Sequence, residues 1–167
     1  AHLLAEGQQY GLRPAGMHAM DSCRIEKGYR SWGHDISGED TPLEAGLGFA
    51  CDLEKQPAFL GQDALLSQRE RGVTKRLVQF RLEDSQPLLY HNEPIYRDGE
   101  MAGYLTSGNY GHALGSAIGL GYVRNPDGVD RDFVLSGRYE IEVAGERFPA
   151  KASLRPFYDP QNERIRV

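Results

Sequence analysis

The sequence predicts an α+β fold in which a segment of helices and loops, residues 1–72, is followed by an all-β module, residues 73–167. Up to Gly72 the apolar residues recur at helical spacing. After Gly72 they alternate with a period of two, as in strands with one buried face. Two turn sequences, Asp98-Gly99 and Ala144-Gly145, separate such runs and predict hairpins. Short antiparallel strands joined by turns predict a small sandwich or barrel.

The first segment contains three predicted helices, each followed by a glycine. The helices span residues 1–10, 17–27 and 60–71, and the glycines are Gly11, Gly28 and Gly72. A glycine at this position ends a helix because it adopts the left-handed conformation without steric cost. Between the second and third helices, Tyr29–Leu53 is rich in glycine and is predicted to be a loop.

The second segment contains the predicted strands. They are Lys75–Leu82, the two halves of Glu93–Thr106, Ser116–Val123, Arg138–Val143 and Glu146–Leu154. Thr106–Gly115 is rich in glycine and hydroxyl side chains, and we expect a barrel loop whose glycines adopt positive φ. It lacks the Gly-Lys-Ser/Thr ending of a phosphate-binding loop, which disfavours a nucleotide site.

Composition excludes several classes of function. A formal net charge of −5 argues against a nucleic-acid partner, because phosphate contacts need clustered Lys and Arg. No apolar run approaches the roughly 20 residues of a membrane helix, and the N-terminus lacks the pattern of a signal peptide. The two cysteines, Cys23 and Cys51, form no metal or redox motif. They favour a reducing compartment, so we expect the cytoplasm, or the mitochondrial matrix in a eukaryote.

The segment Asp21–Asp35 concentrates acids, bases, aromatics and glycines at the end of the second helix. A carboxylate here, such as that of Glu26, could accept two hydrogen bonds from a flat ring rich in donors, and nearby aromatics could cover the ring. The alternative is a solvated helix end with a structural loop. A single helical Glu26 or His18 is usually a surface residue, so both interpretations stay open from the residues alone.

Five sequence blocks resemble one known family. The first block is Arg24–Ile36: its start, Arg24-Ile-Glu-Lys-Gly28, resembles the signature of the glycine-cleavage aminomethyltransferases, and Tyr29-Arg-Ser-Trp-Gly33 resembles the extension of that signature in the dimethylglycine and sarcosine dehydrogenase branch. The other blocks, in the same order as in the family, are Thr41–Leu47, Phe59–Leu65, Thr106–Gly108 and Ala117–Val123. The resemblance covers nearly the whole chain.

The resemblance implies that residues 1–72 are part of a folate-binding domain and that residues 73–167 are the C-terminal β-barrel of this family. It implies a tetrahydrofolate site in which Glu26 holds the pterin ring, with His18, Arg24 and Tyr29 as accompanying candidates. His18 stands where relatives of dimethylglycine dehydrogenase carry an aromatic residue. The barrel arginine of the glycine-cleavage enzymes has no equivalent near Leu88–Tyr90, which favours the dehydrogenase branch.

Larger members of this branch carry an upstream FAD domain that oxidises a methylated glycine, and the resulting iminium carbon passes to tetrahydrofolate. The resemblance therefore implies that the partners are folate and upstream domains of the same polypeptide, or a partner subunit. Because the chain has no flavin fingerprint, and because the family's catalytic Asp precedes the signature by more residues than this chain has, we expect the isolated chain to oxidise no methylated amine.

Two other functions stay open. The tyrosine-rich strands could belong to a non-catalytic barrel that serves as an interdomain or subunit contact. The chain could also belong to a folate-binding relative with another task, such as demethylation or repair chemistry.

Overall fold

A computed structural model describes residues 2–166, which form four α-helices and six β-strands. The helices are α1 (His2–Gly7), α2 (Met17–Glu26), α3 (Gln62–Arg71) and α4 (Arg131–Ser136), with 3-10 turns at Gln8–Tyr10 and Gly48–Ala50. The strands are β1 (Lys75–Leu82), β2 (Pro94–Arg97), β3 (Glu100–Gly111), β4 (Ser116–Arg124), β5 (Tyr139–Val143) and β6 (Glu146–Ser153). Over residues 2–166 the helices lack the length and apolar content needed to cross a bilayer.

The strands close into one antiparallel barrel in the order β1-β4-β3-β2-β5-β6. Closure is visible at Phe80 in β1, which pairs with Gly119 of β4 on one side and with Ala152 of β6 on the other. The predicted α+β fold, helices and loops followed by a small antiparallel barrel, is confirmed. Of the two sheet architectures that the alternation allowed, the structure has the barrel.

Both predicted hairpin turns are present. Asp98 and Gly99 have φ angles of 53° and 91°, and Ala144 and Gly145 have φ angles of 52° and 85°. Positive φ at both central residues is the requirement of a type I′ turn, whose twist matches that of the flanking strands.

The prediction of a barrel loop at Thr106–Gly115 is wrong over the first half of this segment, because β3 continues to Gly111. Of the glycines in this stretch, Gly115 alone has a positive φ, 66°. Gly108 is needed for close packing instead. A Cβ at this position would lie 2.6 Å from the backbone of Leu89 and Tyr90, so only glycine lets that segment approach the strand.

The sequence prediction missed α4 and placed other helix ends slightly differently. α4 has six residues, too few to show a helical period. Asp130 accepts a hydrogen bond from the backbone N–H of Phe133, as an N-cap residue does. The third predicted helix begins at Gln62, after Gly61 with a φ of 90°, and Ala1 of the first lies outside the described residues.

Two apolar clusters hold the fold together. The larger fills the barrel, and its most deeply buried members are Val78, Phe80, Leu82, Leu89, Ile95, Leu105, Val123 and Ile141. The smaller lies on the outer side of β1 and β4, where Ile25 of α2 packs with Leu77, Ile118, Leu120 and Tyr122. Ile25 is thus the apolar anchor that fixes α2 against the barrel.

Truncation of the barrel core provides a test of this packing. Leu105→Ala removes a side chain that is 1% exposed and should lower the free energy of unfolding by about 2 to 5 kcal/mol, through lost burial and the cavity left behind. Leu60→Ala is the matched control, because Leu60 is fully exposed and its truncation should change stability by less than about 0.5 kcal/mol. Denaturant titration measures both values, and equal effects would contradict the placement of Leu105 in the core.

Candidate functional site

Helix α2 is held to the barrel by polar contacts along its length. The hydroxyl of Ser22 donates to the backbone oxygen of Tyr110 in β3 at 2.6 Å. The side-chain amide of Gln79, buried in β1, donates to the backbone oxygens of Ile25 and Glu26. Because these carbonyls belong to the last turn of α2, Gln79 caps the helix from the barrel. The barrel therefore fixes where α2 ends.

The C-terminal segment binds the residue that follows α2. The ammonium of Lys27, which is 7% exposed, donates to the backbone and carboxylate oxygens of Asp159 at 2.6 and 3.2 Å. It also donates to the side-chain oxygen of Asn162 at 2.8 Å. A nearly buried ammonium needs such acceptors, because desolvation of an unpaired charge is costly. Lys27 therefore ties the end of α2 to the last segment of the chain.

A buried ion pair joins α2 to the loop that follows it. The guanidinium of Arg24 donates to the carboxylate of Asp35 at 2.8 Å, and Asp35 is completely buried. Asp35 also accepts the backbone N–H of Ser31 at 2.8 Å and the hydroxyl of Thr106, in β3, at 2.6 Å. These donors stabilise the buried carboxylate, and Thr106 extends the network into the barrel.

Arg24 makes three further hydrogen bonds. Its Nε donates to Asp21 at 2.7 Å, Nη1 donates to the backbone oxygen of Tyr29 at 3.2 Å, and Nη2 donates to the hydroxyl of Ser107 at 2.9 Å. A guanidinium has five N–H groups, and with the bond to Asp35 four are engaged within residues 2–166. One Nη2 hydrogen is left for a ligand.

A groove of about 370 Å³ runs along this network between α2 and the barrel. Its lining combines basic and donor side chains with an apolar wall: His18, Asp21, Arg24, His34, Leu88, Leu89, Tyr90, His91, Thr106, Ser107, Gly108 and Asn109. Three imidazoles, one guanidinium and one amide face a single carboxylate, that of Asp21. The groove therefore suits a ligand that carries negative charge or hydrogen-bond acceptors.

The structure brings two of the four predicted site residues together. His18 and Arg24 line the groove, whereas Glu26 and Tyr29 do not. Tyr29 is half exposed, and its backbone oxygen accepts from Arg24.

Glu26 lies on a different side of α2 and is 5% exposed. Its Oε1 accepts the backbone N–H groups of Ala113 and Leu114 at 2.7 and 3.3 Å, in the turn between β3 and β4. Among residues 2–166, Oε2 has no hydrogen-bond partner. The role of Glu26 as a pterin ligand stays a prediction, and the structure adds a second role in holding this turn.

Sequence reasoning assigned no role to Asp35, Thr106, Ser107 or Asn109, although three of them lie within the quoted blocks. Asn109 donates to the backbone oxygen of His18 at 3.4 Å and so joins β3 to the start of α2. The available signal was the polarity of β3 at positions where a barrel strand would otherwise be apolar. Within residues 2–166, no group of three or more His, Cys, Asp or Glu side chains is arranged to hold a metal ion.

A second polar contact joins the loop before α3 to β1. The ammonium of Lys75 donates to Asp40 at 2.8 Å and lies 3.7 Å from Glu44. Burial raises the pKa of Tyr122, whose ring lies 5.3 Å from the same ammonium, and the charges of Asp40 and Glu44 raise it further. Burial alone would raise the pKa of Asp40, but hydrogen bonds from Lys75 and Ser37 lower it overall.

Known proteins share this architecture. The family model described as the glycine cleavage T-protein C-terminal barrel domain matches residues 75–159, and the model described as the GCVT N-terminal domain matches residues 1–55. The solved structure of the glycine cleavage system aminomethyltransferase T from Bartonella henselae is 25% identical, with a TM-score of 0.78. That similarity covers 96% of this chain and 44% of the solved chain.

Three curated relatives are similar along almost the full chain. The 4-methylaminobutanoate oxidase (formaldehyde-forming) of Paenarthrobacter nicotinovorans is 46% identical over 96% of this chain, and the mitochondrial sarcosine dehydrogenase of Homo sapiens is 42% identical over 98%. The mitochondrial pyruvate dehydrogenase phosphatase regulatory subunit of Mus musculus is 44% identical over 92%. The chain spans only 18 to 19% of the length of these relatives.

The closed barrel with a helix held across it, next to a donor-rich groove, defines a module of one-carbon enzymes of the aminomethyltransferase and sarcosine dehydrogenase type. The chain belongs to the glycine cleavage T-protein family. The predicted boundary between residues 72 and 73 stays a prediction.

Asp35 provides the first test of the site. Asp35→Asn removes the charge that compensates Arg24, and breaking a buried ion pair should cost about 3 to 5 kcal/mol of unfolding free energy. Asp127→Asn is the control, because Asp127 is exposed and the change should stay within about 0.5 kcal/mol. Denaturant unfolding compares the two variants, and a loss below about 1 kcal/mol for Asp35→Asn would show that the pair is dispensable.

Asp40 provides a test that depends on pH. Because the folded-state pKa of Asp40 is lowered, its contribution to stability is present above the pKa of an unfolded aspartate and is lost as pH falls through the folded value. The unfolding free energies of wild type and Asp40→Asn should differ near neutral pH, and the difference should shrink as pH falls below the pKa of an unfolded aspartate, about 3.9. A difference that is constant over this range would contradict the role of the charged form.

Proposed function

We propose that this chain is the tetrahydrofolate-contacting, C-terminal part of a larger one-carbon enzyme of the dimethylglycine and sarcosine dehydrogenase branch. In the whole protein an FAD domain oxidises an N-methyl amine, and the methylene group passes to tetrahydrofolate. The observation that carries the proposal is identity above 40%, over nearly the whole chain, to proteins named as an amine oxidase and an amine dehydrogenase. The proposed location is the cytoplasm, or the mitochondrial matrix in a eukaryote.

The chemistry of the described residues fits a folate. Tetrahydrofolate supplies the nitrogen atoms that accept the one-carbon unit, and it carries carboxylates at one end and a donor-rich pterin ring at the other. The free N–H of Arg24 and the imidazole of His18 are suited to acceptors and carboxylates in the groove. The Oε2 of Glu26 is suited to pterin N–H groups. The FAD contacts belong to the proposed upstream domain.

On this proposal the chain's own residues bind and orient the acceptor. Asp35 and Ser107 fix the guanidinium of Arg24, so that its remaining N–H points in a defined direction. The apolar wall of Leu88 and Leu89 limits water on one side of the groove. The proposed partners are therefore folate and the upstream domains, in the same polypeptide or in a partner subunit.

A non-catalytic contact module is the second candidate function. The observation that favours it is the 44% identity to a relative named as a regulatory subunit. The length and sequence of the full gene separate the two candidate functions in part. The one-carbon enzyme requires a long upstream region with a Gly-x-Gly-x-x-Gly flavin fingerprint. Folate binding decides between them.

Titration of tetrahydrofolate into the full-length protein tests Glu26. In Glu26→Gln the remaining oxygen can still accept from Ala113, while an NH₂ group replaces the second oxygen and opposes a pterin N–H. We expect binding at least about tenfold weaker, a loss of about 1.4 kcal/mol, with amine oxidation at the flavin little changed. Equal dissociation constants would remove Glu26 from the site.

The groove is tested in the same way by His18→Ala. His18 is exposed, so its truncation should leave stability within about 0.5 kcal/mol of wild type. We expect tetrahydrofolate affinity to fall roughly threefold or more, from the loss of one polar contact. A full-length wild-type protein that binds no tetrahydrofolate would refute the proposed function and leave the contact module.

A further inference from the structure

A second and larger crevice lies away from the groove, between α3, the 3-10 turn at Gly48–Ala50 and the barrel. Its volume is about 770 Å³, within the range of small-molecule sites. Leu43, Phe49 and Phe133 contribute an apolar surface, and Arg69, Arg71 and Arg76 contribute three guanidinium groups. None of these residues takes part in the network around Arg24 and Asp35. The crevice is therefore a separate feature of the molecule.

Arg76, in β1, is the residue that requires an explanation. Within residues 2–166 its side chain forms no hydrogen bond or ion pair, and its Nε is buried without a partner. Burial lowers the pKa of the guanidinium, and the charge of Asp130 offsets this only in part. A buried donor is normally satisfied, because leaving it without an acceptor costs the desolvation energy of the group. Arg76 therefore has no acceptor among the described residues, and its side chain lines the crevice.

The other charges around the crevice leave it positive. Arg69 and Arg71 lie in the last turn of α3, where the helix dipole by itself favours cations, and neither pairs with a carboxylate within residues 2–166. Asp127 and Asp130 also line the crevice, but Asp130 already accepts from the backbone N–H of Phe133 at 2.7 Å. Three guanidinium groups thus face two carboxylates, and no ion pair forms between them.

Phe49 adds an apolar contact surface to the same crevice. Its side chain is 87% exposed, although it is one of the largest apolar side chains of the segment. Exposed aromatics next to arginines are typical of binding surfaces, because the ring offers contact area at low entropic cost. A ligand with both an acidic group and an apolar body would use both features.

We propose that this crevice binds a small organic anion, with its carboxylate or phosphate group against Arg76 and its aromatic or apolar body against Phe49. The inference does not depend on the proposed folate function, because the two sites share no residue. It assigns a role to the segment between Gly48 and Val73, which the folate site leaves without one.

Calorimetric titration of the full-length protein with three probes tests the proposal: benzoate, phenyl phosphate and inorganic phosphate. We expect saturable binding of benzoate or phenyl phosphate, at least about tenfold tighter than that of inorganic phosphate. Comparing the affinities of benzoate and phenyl phosphate shows whether the site prefers a carboxylate or a phosphate group. Failure of both aromatic anions to bind would overturn the proposal.

Variants locate the binding. Arg76→Gln should weaken the tighter aromatic anion at least about tenfold, and Phe49→Ala should reduce its advantage over inorganic phosphate to about threefold or less. Arg138→Gln is the matched control, because Arg138 is 92% exposed and lies outside the crevice. The affinity of this variant for the tighter aromatic anion should equal that of wild type. Equal weakening by Arg138→Gln and Arg76→Gln would show non-specific attraction and overturn the site.

Arg69→Gln covers the case in which Arg76→Gln does not fold. Arg69 is exposed on α3, so its replacement should leave the unfolding transition unchanged. We expect affinity for the tighter aromatic anion to fall about threefold, as for the loss of one exposed charge contact. Unchanged affinity in a folded Arg69→Gln variant would overturn the proposal.

Discussion

The completely buried carboxylate of Asp35 sets the constraint on which the arrangement of the site depends. A carboxylate out of water is stable only where donors surround it, and its donors come from three separate parts of the chain: α2, its own loop and β3. None of these parts can move independently without exposing an unpaired charge. Arg24 is therefore held in place between two acids, and its position defines the floor of the groove.

The need to pair buried polar groups also explains why, of the helices before the barrel, α2 is held firmly and α1 and α3 are not. α2 is attached at three points. Ser22 donates to Tyr110 of β3, Gln79 of β1 donates to the last turn of the helix, and Lys27, directly after the helix, pairs with Asp159 of the C-terminal segment. α1 buries none of its residues, and α3 buries only Gln62. Exposed apolar residues lie on or beside these helices, such as Leu3 in α1 and Leu60 just before α3. The barrel thus orders the helix that borders the groove, while the flanking helices present free surface.

The sequence predicted those parts of the fold that local patterns determine. Alternation from Lys75 and the turns at Asp98-Gly99 and Ala144-Gly145 required only neighbouring residues, and these strands and hairpins are present. The site was less accessible to such reasoning. Asp35 is buried because Thr106 meets it from 71 residues away, and no local pattern carries that information. Glu26 looked like a ligand from its motif, but its contact with Ala113 depends on where the turn after β3 lies.

The contact of Lys27 with Asp159 and Asn162 has a consequence for the order of events during synthesis. These partners follow Lys27 by 132 and 135 residues, so they leave the ribosome well after α2. Until these partners are available, the Lys27 ammonium is hydrated and does not hold the end of α2. The strand that closes the barrel against β1, β6, directly precedes them in the sequence. Contacts of such long sequence separation form late, because chain entropy opposes them until the intervening structure exists. The groove beside α2 therefore takes its final shape only after the segment that contains Asp159 and Asn162 has been translated.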